Sequence, residues 1–145
     1  MTEQDYLDLR LEDQINWYDM KSKFNQKMYK RLVLIEIVFS VSIPFFASYA
    51  HDENPIIKII IGIIGVSIAF IAGIMNVYKF HENWMAYRTT SETLKHEKYL
   101  FLTKSGFYKE KESKEAPYNS MVQRIESIIS KENTNWQQKI NKKEK

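Results

Sequence analysis

The chain has 145 residues, of which 44% are hydrophobic and 27% are charged, so its length suits one domain. Its 21 basic and 18 acidic residues give a formal net charge of +3. The two signs alternate without a known nucleic-acid-binding motif, and no nucleic-acid partner is expected. No cysteine is present, which excludes disulfides, cysteine-ligated zinc and cysteine nucleophiles.

The first segment, residues 1–31, is predicted to form a cytosolic amphipathic helix. Leu7, Leu11, Ile15 and Tyr18 recur at spacings of three and four. No proline or glycine precedes Pro44, so this helix is expected to continue into the apolar run that follows. The segment is acidic at its start and lacks the positive region of a signal peptide, so cleavage is not expected.

Residues 32–50 form the first of two apolar runs, each near the roughly 20 residues that cross a bilayer as a helix. Pro44 is expected to kink this span, because it removes a backbone hydrogen bond. The charged residue of the run has two readings. It either lies shallow, reaching the headgroups or pairing with Lys79, or it belongs to a cation-favouring pore lining. The pore-lining candidates lie at steps of four, namely Glu36, Ser40, Pro44 and Ser48.

Residues 51–55 form a polar external turn, and residues 56–78 form the second span. Small residues on this span recur at intervals of three and four and form a helix-packing seam, because small side chains let membrane helices approach closely. Packing against the first span, packing between copies and lining a narrow pore all stay open as its use. The seam residues are Gly62, Gly65, Ala69, Ala72 and Asn76.

Basic residues flank the two spans on one side. Lys27, Lys30 and Arg31 precede the first span and Lys79 follows the second, whereas the connecting turn has no basic residue. The positive-inside rule therefore places both termini in the cytoplasm. The bilayer is an expected partner through its anionic headgroups.

The rest of the chain is predicted to be helical and cytosolic. Residues 79–105 continue the second span as a helix that Gly106 caps. Residues 106–117 form a connector, residues 118–136 a C-terminal helix and residues 137–145 a polar tail. The fold class is thus an all-α membrane protein, a two-transmembrane helical hairpin with long cytosolic helical extensions and a short third C-terminal helix.

No constellation of side chains suits catalysis. The three histidines are separated, and a metal site needs several converging ligands. No glycine-rich phosphate loop and no nucleophile–histidine–carboxylate set is present. An enzyme is therefore disfavoured, and no metal and no cofactor is expected.

The order of several short motifs carries a family resemblance over about residues 6–136. Trp17-Tyr18-Asp19 precedes the first span, Trp84, Tyr87-Arg88 and Ser91-Glu92 follow the second, and Trp136 lies near the end. This pattern resembles the bacterial SLATT proteins, a two-transmembrane family named for its association with nucleotide second-messenger systems, and in particular their stand-alone, uncharacterised branch. The resemblance implies an oligomeric inner-membrane protein suspected of forming pores in defence or stress signalling.

The motif residues also have a structural reading. Aromatic side chains on the two cytosolic helices are expected to form a layer, with Arg88 and Glu92 facing Asp19 or Asp13 opposite. A packing network is favoured over a ligand site. Its members are Trp17, Tyr18, Asp19, Trp84, Tyr87, Arg88, Glu92 and Trp136.

Two functions remain after these steps. A small homo-oligomeric channel in the bacterial cytoplasmic membrane is favoured, because two helices need further copies to enclose an aqueous path. The alternative is a non-conducting scaffold or signalling module that acts through its cytosolic helices, with an unidentified cytosolic regulator as its partner.

Overall fold

A computed structural model describes residues 2–50, 55–109 and 117–141. Within these ranges every regular element is helical and no strand occurs, so the all-helical prediction is confirmed for them. The elements in chain order are α1 (Glu3–Asp5), a π-helical segment (Tyr6–Leu11), α2 (Glu12–Ala47), α3 (Pro55–Tyr78), α4 (Phe80–Leu102), a 3₁₀ turn (Gly106–Tyr108) and α5 (Pro117–Asn141).

The first helix begins at a capping box. The Asp5 amide donates to Thr2 Oγ1 at 3.2 Å and the Thr2 amide donates to Asp5 Oδ2 at 3.0 Å, so each residue satisfies a free donor of the other. α1, the π-helical segment and α2 follow one another without a break to Ala47. The chain after Ala47 tightens through bonds of the i to i+3 type, from Tyr49 N to Phe46 O and from Ala50 N to Ala47 O. The predicted turn residues 51–54 lie outside the described residues.

The chain divides into two compact units. The first comprises residues 1–22 and 85–145, and the second comprises residues 23–84. The first unit has an apolar core formed by the π-helical segment, the start of α2, α4, the 3₁₀ turn and α5. The buried members of this core are Tyr6, Leu7, Leu11, Ile15, Tyr18, Tyr87, Leu94, Phe101, Tyr108, Met121, Ile125 and Ile129.

The start of α5 follows from its sequence. Pro117 is the first helical residue, a position where the missing amide costs nothing. Met121, Ile125 and Ile129 recur every four residues and are buried, and each such side chain contributes about 1.5–3 kcal/mol of apolar burial. The helix extends to Asn141, further than the predicted end at residue 136.

Two lysines adopt left-handed backbone angles. Lys79 lies between α3 and α4 with φ 50°, and Lys104 follows α4 with φ 49°. Ser105 N bonds to Leu100 O and Lys104 N bonds to Phe101 O, which is the Schellman pattern. The expected cap was Gly106; instead Lys104 holds the left-handed position, and Gly106, with φ 60°, begins the 3₁₀ turn.

Candidate functional site

α3 presents three faces of different character. Its least exposed side chains recur at intervals of three and four, and Ile71 among them is buried at 9% exposure. Such a stripe is what a helix turns toward a neighbour. Its members are Ile57, Ile60, Ile64, Ile68, Ile71 and Met75.

A second face of α3 carries large apolar side chains open to the surroundings. Val66 is 71% exposed, Ile56 69% and Phe70 68%. Water does not stabilise such a face, because each large apolar side chain left exposed forgoes about 1.5–3 kcal/mol of burial free energy. Ile59, Ile63 and Val77 share this face and are each more than 60% exposed.

The predicted small-residue seam is the third face of α3, about a third of a turn from each of the other two. At Gly62 and Gly65 an added Cβ would meet no neighbouring atom within 4 Å. Ala69, Ala72 and Asn76 are exposed. The seam therefore lies beside the half-buried stripe, and within the described part of the chain nothing packs against its glycines.

The predicted polar stripe of α2 does not share one environment. Glu36 is half-buried, whereas Ser40, Pro44 and Ser48 are exposed. The reason is geometric, since each step of four residues turns an α-helix about 40° beyond a full turn. Ser48 Oγ donates to Phe45 O at 2.7 Å, so this hydroxyl is satisfied within its own helix.

One helix of the described chain, which includes α3, is long and apolar enough to cross a membrane. The first predicted span is not such a helix within the described residues. α2 ends at Ala47, so its last 18 residues begin at Lys30 and carry three charged side chains, those of Lys30, Arg31 and Glu36.

Four of the predicted network residues meet in the first unit. The Trp17 ring lies 4.9 Å from Tyr18 and 5.8 Å from Tyr87 between centroids, in edge-to-face geometry. Trp136 Nε1 donates to the Tyr87 hydroxyl at 3.1 Å. Burial raises the pKa of Tyr18 and of Tyr87. These contacts join α2, α4 and α5, as a packing network would.

Trp84 belongs to the second unit and has other partners there. It lies 6.4 Å from Tyr29 and 5.7 Å from His81 between ring centroids, and Tyr29 lies 4.8 Å from His81. Lys30 Nζ lies 5.8 Å from the Trp84 ring centre, within the range of a cation–π contact. The sequence predicted Trp84 in one layer with Trp17, and that layer stays a prediction. Within its own unit Trp84 belongs to a cluster of three rings with Tyr29 and His81.

The predicted charged partners are rearranged. Asp19 pairs with Lys95, with 3.7 Å between Oδ1 and Nζ, and Arg88 and Glu92 pair with each other at 3.9 Å along α4. Glu92 also contacts Lys95 at 3.3 Å. Lys95 therefore takes the role toward Asp19 that the sequence assigned to Arg88.

Sequence reasoning missed a buried ion pair between α4 and α5. The Glu97 side chain is 6% exposed and accepts from Arg124 Nε at 2.9 Å and Nη2 at 2.6 Å. Tyr108 donates to the same carboxylate at 2.6 Å. The hydrogen bonds from Arg124 lower the pKa of Glu97, and burial together with the bond to Glu97 raises the pKa of Tyr108.

A second cluster of the same composition holds the other side of α5. Glu126 accepts from Arg10 Nε and Nη2, each at 3.2 Å, and from the Tyr6 hydroxyl at 3.0 Å. The hydrogen bonds from Arg10 lower the pKa of Glu126. The sequence signal for the two clusters was that Arg124 and Glu126, of opposite charge, lie two residues apart on α5. This signal does not reveal which residues pair with them.

Among the residues that the structure describes, no group of three or more His, Cys, Asp or Glu side chains could hold a metal ion. Over the residues that the structure describes, the protein is all-helical and has one apolar helix of membrane-spanning length. A family model described as "Protein of unknown function (DUF4231)" matches residues 13–116, and the chain belongs to this family. No curated protein and no solved structure gives a significant match.

Proposed function

We propose that this chain is a two-span membrane protein of the bacterial cytoplasmic membrane that assembles with copies of itself into a small channel. The observation that carries the proposal is the large apolar face of α3, whose side chains are mostly more than 60% exposed in the single chain. Lipid is the environment in which such a face is stable. The resemblance to the SLATT proteins supports the same class and a role as a stress or defence effector.

Self-association is supported by the open seam of α3. Small residues allow membrane helices to approach closely. Because lipid is as apolar as the helices, such close packing is how the helices associate. Since no atom of the described chain lies within 4 Å of a Cβ added at Gly62 or Gly65, the seam is available to another copy. In this arrangement the exposed Ser40 and Ser48 and the half-buried Glu36 are the polar groups offered to an aqueous path.

Topology is the first test. The chain has no cysteine, so Asp52→Cys and a cysteine added after Lys145 each provide a single label. With both termini in the cytoplasm, an impermeant thiol reagent outside intact cells labels the first and spares the second. Labelling of Asp52→Cys from the cytoplasmic side alone would contradict the two-span arrangement.

Conduction is the second test. Purified protein in planar bilayers is expected to pass current, with a cation preference that Glu36→Gln reduces while the oligomer is retained, because a ring of carboxylates concentrates cations. The effect is expected to shrink at high salt. If Glu36→Gln left the reversal potentials unchanged, the channel proposal would stand but Glu36 would have no role in its ion selectivity.

The alternative is a non-conducting scaffold, and the first unit supports it. That unit has a buried core of its own and two carboxylate clusters that fix α5, so it is a stable cytosolic module suited to partner binding. Absence of current from the intact oligomer at every voltage and pH tried would favour the scaffold.

A further inference from the structure

Some basic residues of the chain are paired with carboxylates and others are not. In the first unit Arg10, Arg124 and Lys98 each bind a carboxylate, the last of them that of Glu12. In the second unit four exposed cations beside the apolar segments have no such partner among the described residues. Within residues 2–50, 55–109 and 117–141 no carboxylate lies within ion-pair distance of Lys27, Lys30, Arg31 or Lys79.

These cations lie next to the apolar segments. Lys27, Lys30 and Arg31 occupy consecutive turns of α2 just before the run that begins at Leu32, and Lys79 follows the last residue of α3. Between Asp19 and Glu36 the chain has no acidic residue. Glu36 and Glu82 are the described acidic residues of the second unit, so its charge at this end is strongly positive.

The three-ring cluster lies at the same end of the second unit. Tyr29 and Trp84 are half-buried, His81 is exposed, and Lys30 lies over the Trp84 ring. Tryptophan and tyrosine are favoured at the headgroup level of a bilayer, where one part of the ring is dry and the other wet. Lys30 contacts one of these rings, and the other cations lie near them in the chain, with Lys27 and Arg31 two residues from Tyr29 and Lys79 two residues from His81. Such a combination suits a ligand with an anionic head and an apolar body.

We propose that this basic aromatic cluster, formed by Lys27, Tyr29, Lys30, Arg31, Lys79, His81 and Trp84, binds the phosphate of an acidic phospholipid of the cytoplasmic leaflet. The inference rests on the membrane insertion proposed above and names the lipid that the protein selects. The cations neutralise the net negative headgroup, and Trp84 lies at the level of the glycerol backbone. A zwitterionic phospholipid offers no net charge for the same cations, so it binds more weakly.

The test uses Trp84 as the reporter in the full chain. Trp17→Phe and Trp136→Phe leave Trp84 as the single tryptophan among the three of the sequence. The protein is reconstituted in mixed phosphatidylcholine and phosphatidylglycerol vesicles in which one or the other lipid carries bromine near the headgroup end of its acyl chains. Brominated phosphatidylglycerol is expected to quench Trp84 several-fold more effectively than brominated phosphatidylcholine at equal mole fraction.

The decisive variant is Lys27→Gln combined with Lys30→Gln. It is expected to reduce the relative affinity for phosphatidylglycerol about 30-fold, since each basic residue lost near an anionic surface weakens binding about fivefold. The matched control removes two exposed lysines of the first unit, Lys109→Gln and Lys131→Gln, at the same net charge. The control is expected to keep the wild-type preference, and an equal loss in both variants overturns the site.

The outcomes separate this inference from the proposed function. Equal quenching by both brominated lipids means that the chain is inserted but selects no headgroup, which overturns the inference alone. Absence of quenching by either lipid overturns membrane insertion as well. Inorganic phosphate at matched ionic strength is expected to leave the preference unchanged, and its loss would show a free-phosphate site instead. Native mass spectrometry of phosphatidylglycerol retained by the wild-type chain gives a readout independent of the tryptophan substitutions.

Discussion

Arg124 of α5 donates hydrogen bonds to the Glu97 carboxylate of α4 from two guanidinium nitrogens, at 2.9 Å and 2.6 Å. The side chain of Glu97 is nearly buried and that of Arg124 is 40% exposed. Bidentate arginine–carboxylate pairs combine charge with fixed geometry, so this contact sets the position of α5 along α4. Tyr108, in the connector between α4 and α5, donates a further hydrogen bond to Glu97.

Glu97→Gln is expected to lower the free energy of unfolding of the first unit by about 2 kcal/mol, because Arg124 then loses its buried counter-charge while the amide still accepts one hydrogen bond. Denaturant titration followed by tryptophan fluorescence measures it, since Trp17 and Trp136 both contact Tyr87 in this unit. The control is Glu92→Gln on the exposed face of α4, for which a change below about 0.5 kcal/mol is expected. Equal losses in the two variants would refute a special role for Glu97.

Acid is expected to weaken the first unit in a defined range. The pKa values of Glu97 and Glu126 are lowered from their ordinary value of 4.5 by Arg124 and Arg10. The stabilisation they provide is therefore complete above that value and is lost as the pH falls through the lower folded-state pKa values. Between pH 5 and 8 these two groups do not change the free energy of unfolding with pH.

The measurement compares denaturation midpoints of the wild type and of Glu97→Gln with Glu126→Gln between pH 3 and 7. The double variant is expected to show a shallower acid decline than the wild type. An identical decline in both proteins would mean that other carboxylates govern acid unfolding.

Lys104→Gly is expected to stabilise the protein by up to about 1 kcal/mol. Lys104 has φ 49° at the end of α4, and the left-handed region costs a non-glycine residue about 1–2 kcal/mol, partly offset by the greater chain entropy that glycine loses. Lys109→Gly is the matched control, since Lys109 has φ −67° and gains nothing from glycine. Thermal unfolding followed by circular dichroism distinguishes them, and a lower midpoint for Lys104→Gly than for Lys109→Gly would contradict the strain.

Much of the first unit could be predicted from the sequence. The spacing of Leu7, Leu11 and Ile15 predicted the buried face of the first helix, and a C-terminal helix was predicted over residues 118–136, where α5 lies. Apolar periodicity is a local property of the sequence, so it predicts the buried face of a helix without knowledge of the helices that pack against it. The layer expected for Trp84 and Trp17 stays a prediction, because the two residues belong to different units and because equal type and similar distance along the chain do not determine contact.

The carboxylate clusters could not be predicted because their members are far apart in the chain. Glu97 and Arg124 are separated by the connector, and Arg10 and Glu126 lie near opposite ends of the sequence. Charged residues are common on helices, and most of them are solvated. Only the packing of α5 selects which carboxylate meets which arginine.

Gly65→Leu is expected to disrupt the oligomer without unfolding the chain. A Cβ added at Gly65 would meet no atom of the described chain within 4 Å, so the larger side chain is expected to disturb mainly a neighbour from another copy. Ile63→Phe, which adds volume on the exposed apolar face, is the control and is expected to keep the wild-type assembly. Native mass spectrometry from detergent measures both, and an unchanged oligomer in Gly65→Leu would remove the seam from the assembly.

The π-helical segment Tyr6–Leu11 determines how the N-terminus tolerates insertions and deletions. A π-helical turn holds one extra residue. With this residue present, Tyr6, Leu7 and Leu11 are all buried, and Leu7, Leu11 and Ile15 follow one another at steps of four. Deleting one residue from the segment would restore ordinary α-helix and rotate everything before it by about 100°. Tyr6 would then leave Glu126, so the helix phase at this end is fixed by a single surplus residue.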